Sequence, residues 1–288
     1  MSDRLRGIVS ILIACLFFAS GTVGAKLLSG TFSGSYMALA RFVVGAVLVF
    51  GAVGITRRPL RVTNWRAWIG RGLFGALAMV FYYVGIAATS SGRATLLLGM
   101  APAFVLVIGA LFFSEQFRWG YVFGLALCIG GASLILSDGS SYPLWGDLTL
   151  LAAALMRGFA LNYIRELRTD AHDPVTIYFA VCVFGLPMVL HTAPETAHIT
   201  ASNLPLLLAV SAIMFFAQIF FAYGFKHTSA VAAGLLTYLV IPLAVGLSIV
   251  FVHERITPRF IAGALAIFLG LVGAAWMVNR PGKATPAD

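Results

Sequence analysis

The chain has 288 residues, of which 60% are hydrophobic and only 10% charged, with a net charge of +9 and a mean hydropathy of +0.97. Soluble domains carry about 25% charged residues, so this composition excludes a water-soluble enzyme, a disordered chain and a coiled coil. The apolar runs are continuous and do not alternate every second residue, which excludes a transmembrane β-barrel. A polytopic, all-α helical membrane protein remains.

Ten segments are long and apolar enough to cross the hydrocarbon core as helices. The first follows a positively charged flank, as a signal peptide would, but its length of about 20 residues exceeds the usual hydrophobic region of a signal peptide. We therefore expect it to remain as an uncleaved first span. The predicted spans are residues 8–28, 33–54, 67–88, 94–113, 118–136, 147–166, 174–192, 204–224, 230–252 and 258–278.

The excess of positive charge predicts a topology and not a nucleic-acid partner, because the Lys and Arg residues gather in short loops. With the N-terminus inside, thirteen of them flank the inner ends of the spans, Arg71 included. Three lie in the outer loops: Arg93, Arg255 and Arg259. We therefore predict a multi-pass protein of the plasma (inner) membrane, in contact with the lipid bilayer, with both termini cytoplasmic.

The three cysteines, Cys15, Cys128 and Cys182, each lie inside an apolar run, and no CxxC pair occurs. This pattern is typical of small buried apolar side chains. It indicates no disulfide framework, no metal site and no cofactor.

An ordered set of residues recurs at an offset of 139 or 140. Thr89-Ser90, Pro102, Glu115, Gly124 and Gly131 return as Thr228-Ser229, Pro242, Glu254, Gly263 and Gly270. Five spans per half is an odd number, so the second half enters the membrane in the opposite sense, as in many secondary transporters. We predict a 5+5 inverted-topology repeat, with a first half at 1–136, a second half at 147–278 and a cytoplasmic tail at 279–288.

These features resemble the EamA-type transporters of the drug/metabolite transporter superfamily. The resemblance rests on the ten spans, the inverted duplication, the pairs Pro102 with Glu115 and Pro242 with Glu254, and Arg41 within Ala38-Leu39-Ala40-Arg41-Phe42. It implies transport of amino acids and other small metabolites through a central cavity formed mainly by spans 1, 3, 4, 6, 8 and 9.

Arg157 is the most informative single residue, because it lies near mid-bilayer in span 6. An Arg at the centre of a helix costs about 2.5–3.5 kcal/mol on insertion scales, and no Asp or Glu occurs at a comparable depth. We hypothesise that Arg157 pairs with a carboxylate of the substrate, the alternative being a structural Arg bonded to backbone groups. For Arg41 we favour a structural role, and for Lys26 a position reaching to the outer interface.

Other residues form a candidate substrate cavity because amides, phenols and thioethers can orient a polar ligand in an apolar pocket. Helix–helix hydrogen bonding is the alternative role for each of them. These cavity candidates are Met79, Tyr82, Tyr83, Asn162, Tyr163, Gln218 and Tyr238. Pro102 and Pro242 interrupt spans 4 and 9 at matched positions and are candidates for gating hinges.

Small residues on spans 5 and 10 predict close helix approach. Gly120 and Gly124 form a GxxxG on span 5, and Gly263 and Gly270 lie on span 10. These equivalent spans either pack together within the chain or form a dimer face, so the oligomeric state stays open.

The function predicted from these features is alternating-access transport of small metabolites, with an amino-acid exporter favoured. The alternatives are an exporter of other small organic metabolites or drugs, and a channel. The chain has no P-loop and no His at depth to pair with a nucleophile, so ATP hydrolysis and intramembrane catalysis are not expected. Facilitated diffusion, exchange and proton coupling through Glu115 or Glu254 remain open.

Overall fold

A computed structural model of the chain describes residues 3–57, 60–113, 119–137, 139, 141–169, 173–227, 236–237, 239–254 and 256–279. Within these ranges the chain is helical and contains no strand. The helices are α1 Asp3–Leu28, α2 Gly34–Thr56, α3 Trp65–Ala88, α4 Ser91–Leu98, α5 Ala101–Phe112, α6 Trp119–Leu136, α7 Leu144–Thr169, α8 Pro174–Val189, a 3-10 helix Leu190–His198, α9 Leu204–His227, α10 Val240–Phe251 and α11 Pro258–Asn279.

Helix is present in each of the ten predicted spans, so the all-α polytopic fold is confirmed. Seven segments of the described chain are long and apolar enough to cross a membrane, while 126–136, 240–251 and 258–270 are shorter apolar stretches. The eighth helix continues into the 3-10 helix. Residues 230–235 of the ninth predicted span and the tail from 280 lie outside the described residues.

Side-chain caps fix where several helices begin. Ser33, Asn64, Ser90 and Asp173 each accept a hydrogen bond from a backbone N–H in the first turn of the helix that follows. These caps satisfy N–H groups that have no intrahelical partner. Local sequence therefore sets the starts of α2, α3, α4 and α8.

The fourth span is divided into α4 and α5, as its internal proline predicts. Pro102 lies in the first turn of α5, where its missing N–H removes no helical hydrogen bond. Pro242 occupies the matching place, as the third residue of α10. Both prolines thus follow a short interruption of their span.

The helices are arranged as an inverted repeat. Helix α3 packs against α7, and the equivalent pair, α9 and α1, packs in the same way. The equivalent helices α6 and α11 pack against each other, and the Cys128 thiol donates to the Ile267 carbonyl over 3.8 Å. These two residues are 139 apart, which is the repeat offset, so the pseudo-two-fold axis passes through this contact.

Glycines allow the backbones of α6 and α11 to approach closely. A Cβ on Gly131 would lie 2.6 Å from the carbonyl oxygen of Gly263, and a Cβ on Gly270 would lie 2.8 Å from that of Gly124. The two contacts are related by the repeat, since Gly124 is equivalent to Gly263 and Gly131 to Gly270. The small residues of spans 5 and 10 therefore pack together within the chain.

We expect Gly131→Ala to lower the free energy of unfolding by about 1–3 kcal/mol, because the added methyl group meets backbone that cannot swing away. Gly130→Ala is the matched control, since a Cβ there has no atom within 4 Å. The measurement is the thermal unfolding midpoint of the two variants in the same detergent. Equal midpoints would contradict the close approach of α6 and α11.

Candidate functional site

Arg41 lies inside the helix bundle, where it is 4% exposed as the eighth residue of α2. One terminal nitrogen donates to the Tyr83 hydroxyl over 3.3 Å, and its guanidinium carbon lies 5.8 Å from the centre of that ring. The Arg41 Nε has no hydrogen-bond partner among the described residues. A buried donor without an acceptor costs about 1–3 kcal/mol, so this nitrogen is open to a further ligand.

Arg71 is also buried, at 6% exposure, as the seventh residue of α3. Its guanidinium fills the space beside Gly75, where a Cβ would collide with a terminal nitrogen of Arg71 and lie 2.9 Å from Val181. Its Nε also lacks a partner in the described part of the chain. The prediction that Arg71 flanks the inner end of its span is therefore wrong, because its side chain lies inside the bundle.

Arg157 is the fourteenth of the 26 residues of α7 and remains partly exposed. It lies within electrostatic range of Arg41 and Tyr82, and Arg71 is within range of both Arg157 and Arg41. We call Arg41, Arg71 and Arg157 the arginine cluster. Its members come from α2, α3 and α7, so both halves of the repeat contribute.

The described carboxylates have partners elsewhere. Glu166 accepts from Asn64, Asp173 caps α8, and Glu195 accepts from Ser33. Asp147 pairs with Arg93, and Glu254 caps α4. None of these five carboxylates therefore faces the arginine cluster.

Three tyrosines line the cluster. Tyr83 accepts from Arg41, while the Tyr82 hydroxyl shares a 2.6 Å hydrogen bond with Thr22 of α1. Tyr178 of α8 lies beside Arg41, but its buried hydroxyl makes no hydrogen bond of good geometry to any described group. Its ring occupies the space above Gly45, where a Cβ would come within 2.8 Å.

The remaining cavity candidates lie in the same bundle but differ in their contacts. Met79 packs among the residues around Tyr178, and Gln218 of α9 is partly buried. The Asn162 amide donates to the carbonyls of Val105 and Gly158 over 3.1 Å, which links α7 to α5. Tyr163 packs 5.0 Å from the ring of Phe113 and 6.0 Å from that of Phe74. Tyr238 lies outside the described residues.

One end of the bundle is held closed by polar contacts between the halves; we call it the Glu254 end. Glu254 accepts from the backbone N–H groups of Ser91 at 2.7 Å and Gly92 at 3.2 Å, and from the Ser91 hydroxyl at 2.8 Å. Ser91 also shares a 2.6 Å hydrogen bond with Ser248. Glu254 thereby caps α4, a helix of the other half, and supplies negative charge where the helix dipole favours it.

A buried ion pair adds to this closure. Arg93 of α4 contacts Asp147 of α7, and the Thr89 hydroxyl donates to the same carboxylate over 3.2 Å. Lys26 lies at this end too, where its amino group donates to the carbonyls of Ile86 and Ala87 over 3.4 and 3.5 Å. Lys26 therefore bonds to the last turn of α3, at the same end as Glu254.

Neither Arg71 nor Tyr178 stands out in the sequence as a site residue. Arg71 follows the loop cations at the start of its span, and Tyr178 sits in an ordinary apolar helix. The available signal was the spacing of small residues: Gly75 lies one turn beyond Arg71 and makes room for its guanidinium.

Two oppositely oriented halves with matched interrupted spans, and buried cations between them, define a membrane transporter built on an inverted repeat. The model of the EamA-like transporter family matches the chain twice, at residues 5–137 and 144–276. The chain belongs to this family and is a multi-pass membrane transporter.

Individual relatives agree with this assignment. The chain is 25% identical over 274 residues to the pseudopaline exporter CntI of Pseudomonas aeruginosa, covering 92% of this chain and 94% of that protein. It is 30% identical over 260 residues to a probable terminal-alkyne amino-acid exporter of Streptantibioticus cattleyicolor, covering 85% and 83%. A crystal structure that is 18% identical shares the fold, with a TM-score of 0.63 over 95% of this chain and 99% of that one.

Proposed function

We propose that this transporter exports small amino-acid-like metabolites by alternating access, with no catalytic step. The observation that carries the proposal is Arg157, a partly exposed cation in the middle of α7 that faces no described carboxylate. A carboxylate on the substrate would offset the cost of holding this charge within the membrane. The names of the two exporter relatives support a substrate of this class.

We further propose that both termini are cytoplasmic, in an inner membrane, and that the Glu254 end faces outward. The loop cations support this orientation, since the bias stays strong when Arg71 is moved from the inner flanks into the bundle. The halves at 1–136 and 147–278 and the tail at 279–288 are the corresponding division of the chain. The two matches to the family model support the division into halves.

The remaining cavity residues, Met79, Tyr82, Tyr83, Asn162, Tyr163, Gln218 and Tyr238, are proposed to surround the substrate or to support the residues that contact it. Pro102 and Pro242 are proposed as hinges, because each follows a break in its span. An exporter of other organic metabolites or drugs would use the same cavity with less dependence on Arg157.

Counterflow of labelled amino acids into proteoliposomes tests the proposal. We expect saturable uptake, with Arg157→Ala raising the half-saturating concentration about 30-fold or more, since the substrate carboxylate loses a charged partner held within the membrane. Arg165→Ala is the matched control, because Arg165 lies on the same helix two turns further on and is exposed. We expect it to retain uptake.

Other outcomes would change the conclusion. Unchanged uptake in Arg157→Ala would show that Arg157 has a structural role, and the protein would still be a carrier. Uptake that does not saturate would favour a channel. A lack of counterflow for every amino acid would favour other organic metabolites as substrates.

A further inference from the structure

The arginine cluster carries more positive charge than a simple amino acid can balance. Arg41, Arg71 and Arg157 lie within electrostatic range of one another, and the described carboxylates are engaged elsewhere. A zwitterionic amino acid brings one carboxylate and also one ammonium group, which the cluster would repel. Three guanidinium groups close together are instead matched by a ligand with at least two negative charges.

The unused hydrogen-bond donors favour the same ligand. The Nε atoms of Arg41 and Arg71 are buried without partners in the described part of the chain, and the buried Tyr178 hydroxyl lies beside Arg41 without a well-aligned hydrogen bond. They come from α2, α3 and α8, and Arg157 adds a partly exposed side chain from α7. Buried donors without partners are uncommon in folded proteins, so those that lie on neighbouring helices around Gly45 and Gly75 indicate a ligand that is rich in acceptors.

The backbone is shaped to hold these side chains in place. Gly75 leaves room for the guanidinium of Arg71, and Gly45 leaves room for the ring of Tyr178. Arg41 is oriented by Tyr83 on α3. The donors are therefore held by the fold before any ligand arrives, which lowers the entropy cost of binding.

We propose that the arginine cluster, together with Tyr178, is the binding site for a small organic substrate that carries two or more carboxylates. The inference rests on the proposed function and narrows its substrate class from amino acids in general to amino-acid-like polycarboxylates. Because donors from both halves converge, one ligand contacts both halves at once, which is the geometry expected for a transported substrate.

The test compares the affinities of ligands that differ in charge for the purified full-length protein, measured from ligand-induced shifts in thermal stability. The ligands are propionate, alanine, succinate, citrate and inorganic phosphate, with chloride held constant. We expect succinate or citrate to bind at least about 10-fold more tightly than propionate or alanine, since a further charged hydrogen bond is formed. The affinity for phosphate shows whether the site prefers an organic polycarboxylate to an inorganic anion.

Two variants and one control assign the preference to the cluster. Arg71→Met removes one charge at similar length, and Gly75→Ala keeps the charge but displaces the guanidinium. Both are expected to reduce the preference for succinate over propionate to about 2-fold or less, against the wild-type ratio of about 10. Arg66→Met removes an exposed charge from the same helix and should keep the wild-type ratio.

The inference would be overturned if the wild-type protein bound succinate no more tightly than propionate, or if both variants kept the wild-type preference for succinate. It would also be overturned if phosphate bound more tightly than succinate. If Arg71→Met does not fold, Gly75→Ala gives the answer. The two proposals fail separately: counterflow of monocarboxylic amino acids that depends on Arg157, with no preference for dicarboxylates, would support the proposed function and reject the polycarboxylate site, whereas no counterflow of any amino acid would reject the proposed function.

Discussion

Replacing Asp147 by asparagine is expected to lower the free energy of unfolding by about 3 kcal/mol or more, because it removes a carboxylate from a buried guanidinium. Asp147 is 1% exposed and Arg93 is 2% exposed. The Asp147 carboxylate contacts Arg93 and also accepts from Thr89. Asparagine has nearly the same shape, so any loss of stability reports the charge and not the packing.

The measurement is the thermal unfolding midpoint in detergent, with the double variant Arg93→Met and Asp147→Leu as the control. Removing both charges and filling the space with apolar atoms should recover most of the stability that Asp147→Asn loses, because the buried pair by itself contributes little net stabilisation. If Asp147→Asn unfolds at the wild-type temperature, the pair is not buried in the state that predominates.

Replacing Glu254 by glutamine is expected to open the Glu254 end. The glutamate accepts from two backbone N–H groups and a hydroxyl of the other half. Glutamine has one acceptor oxygen in place of two, so one of these donors then faces an NH₂ group. Losing a buried hydrogen bond to a charged group costs about 1.5–3 kcal/mol, which increases the population of the open state about 10-fold or more.

The opening can be measured by maleimide labelling of Ser248→Cys, a buried position beneath Glu254. We expect the labelling rate to rise about 10-fold with Glu254→Gln. Glu195→Gln is a closely matched control, because Glu195 also accepts from a serine N–H and hydroxyl, those of Ser33, but at an exposed site. An equal rise in both variants would show that Glu254 does not hold this end closed.

The sequence predicted the fold well because membrane helices are specified locally. Continuous apolar runs set the spans, and the recurrence of Pro102 as Pro242 indicated the inverted repeat. Each of these signals needs only a short stretch of chain or a comparison of two stretches.

The site was predicted less fully because it depends on which helices meet. Arg157 was recognisable by its depth alone, but Arg71 looked like a loop cation until α3 was seen to place it beside Gly75 and Val181. Asn162 has the polar character of a ligand-binding residue, yet its amide bonds to the carbonyl of Val105. Glu254 reaches Ser91 across 163 positions, a contact that only the packing of the two halves creates.

The contact between Cys128 and Ile267 provides a fixed reference point for studies of motion in this protein. When two inverted halves exchange their conformations, each residue takes over the environment of its counterpart 139 positions away. The distance between the Cα atoms of two such counterparts maps onto itself, so it is the same before and after the exchange. Spectroscopic probes on counterpart pairs of α6 and α11 should therefore report equal distances in the two end states, while distances between α1 and α3 should differ between them.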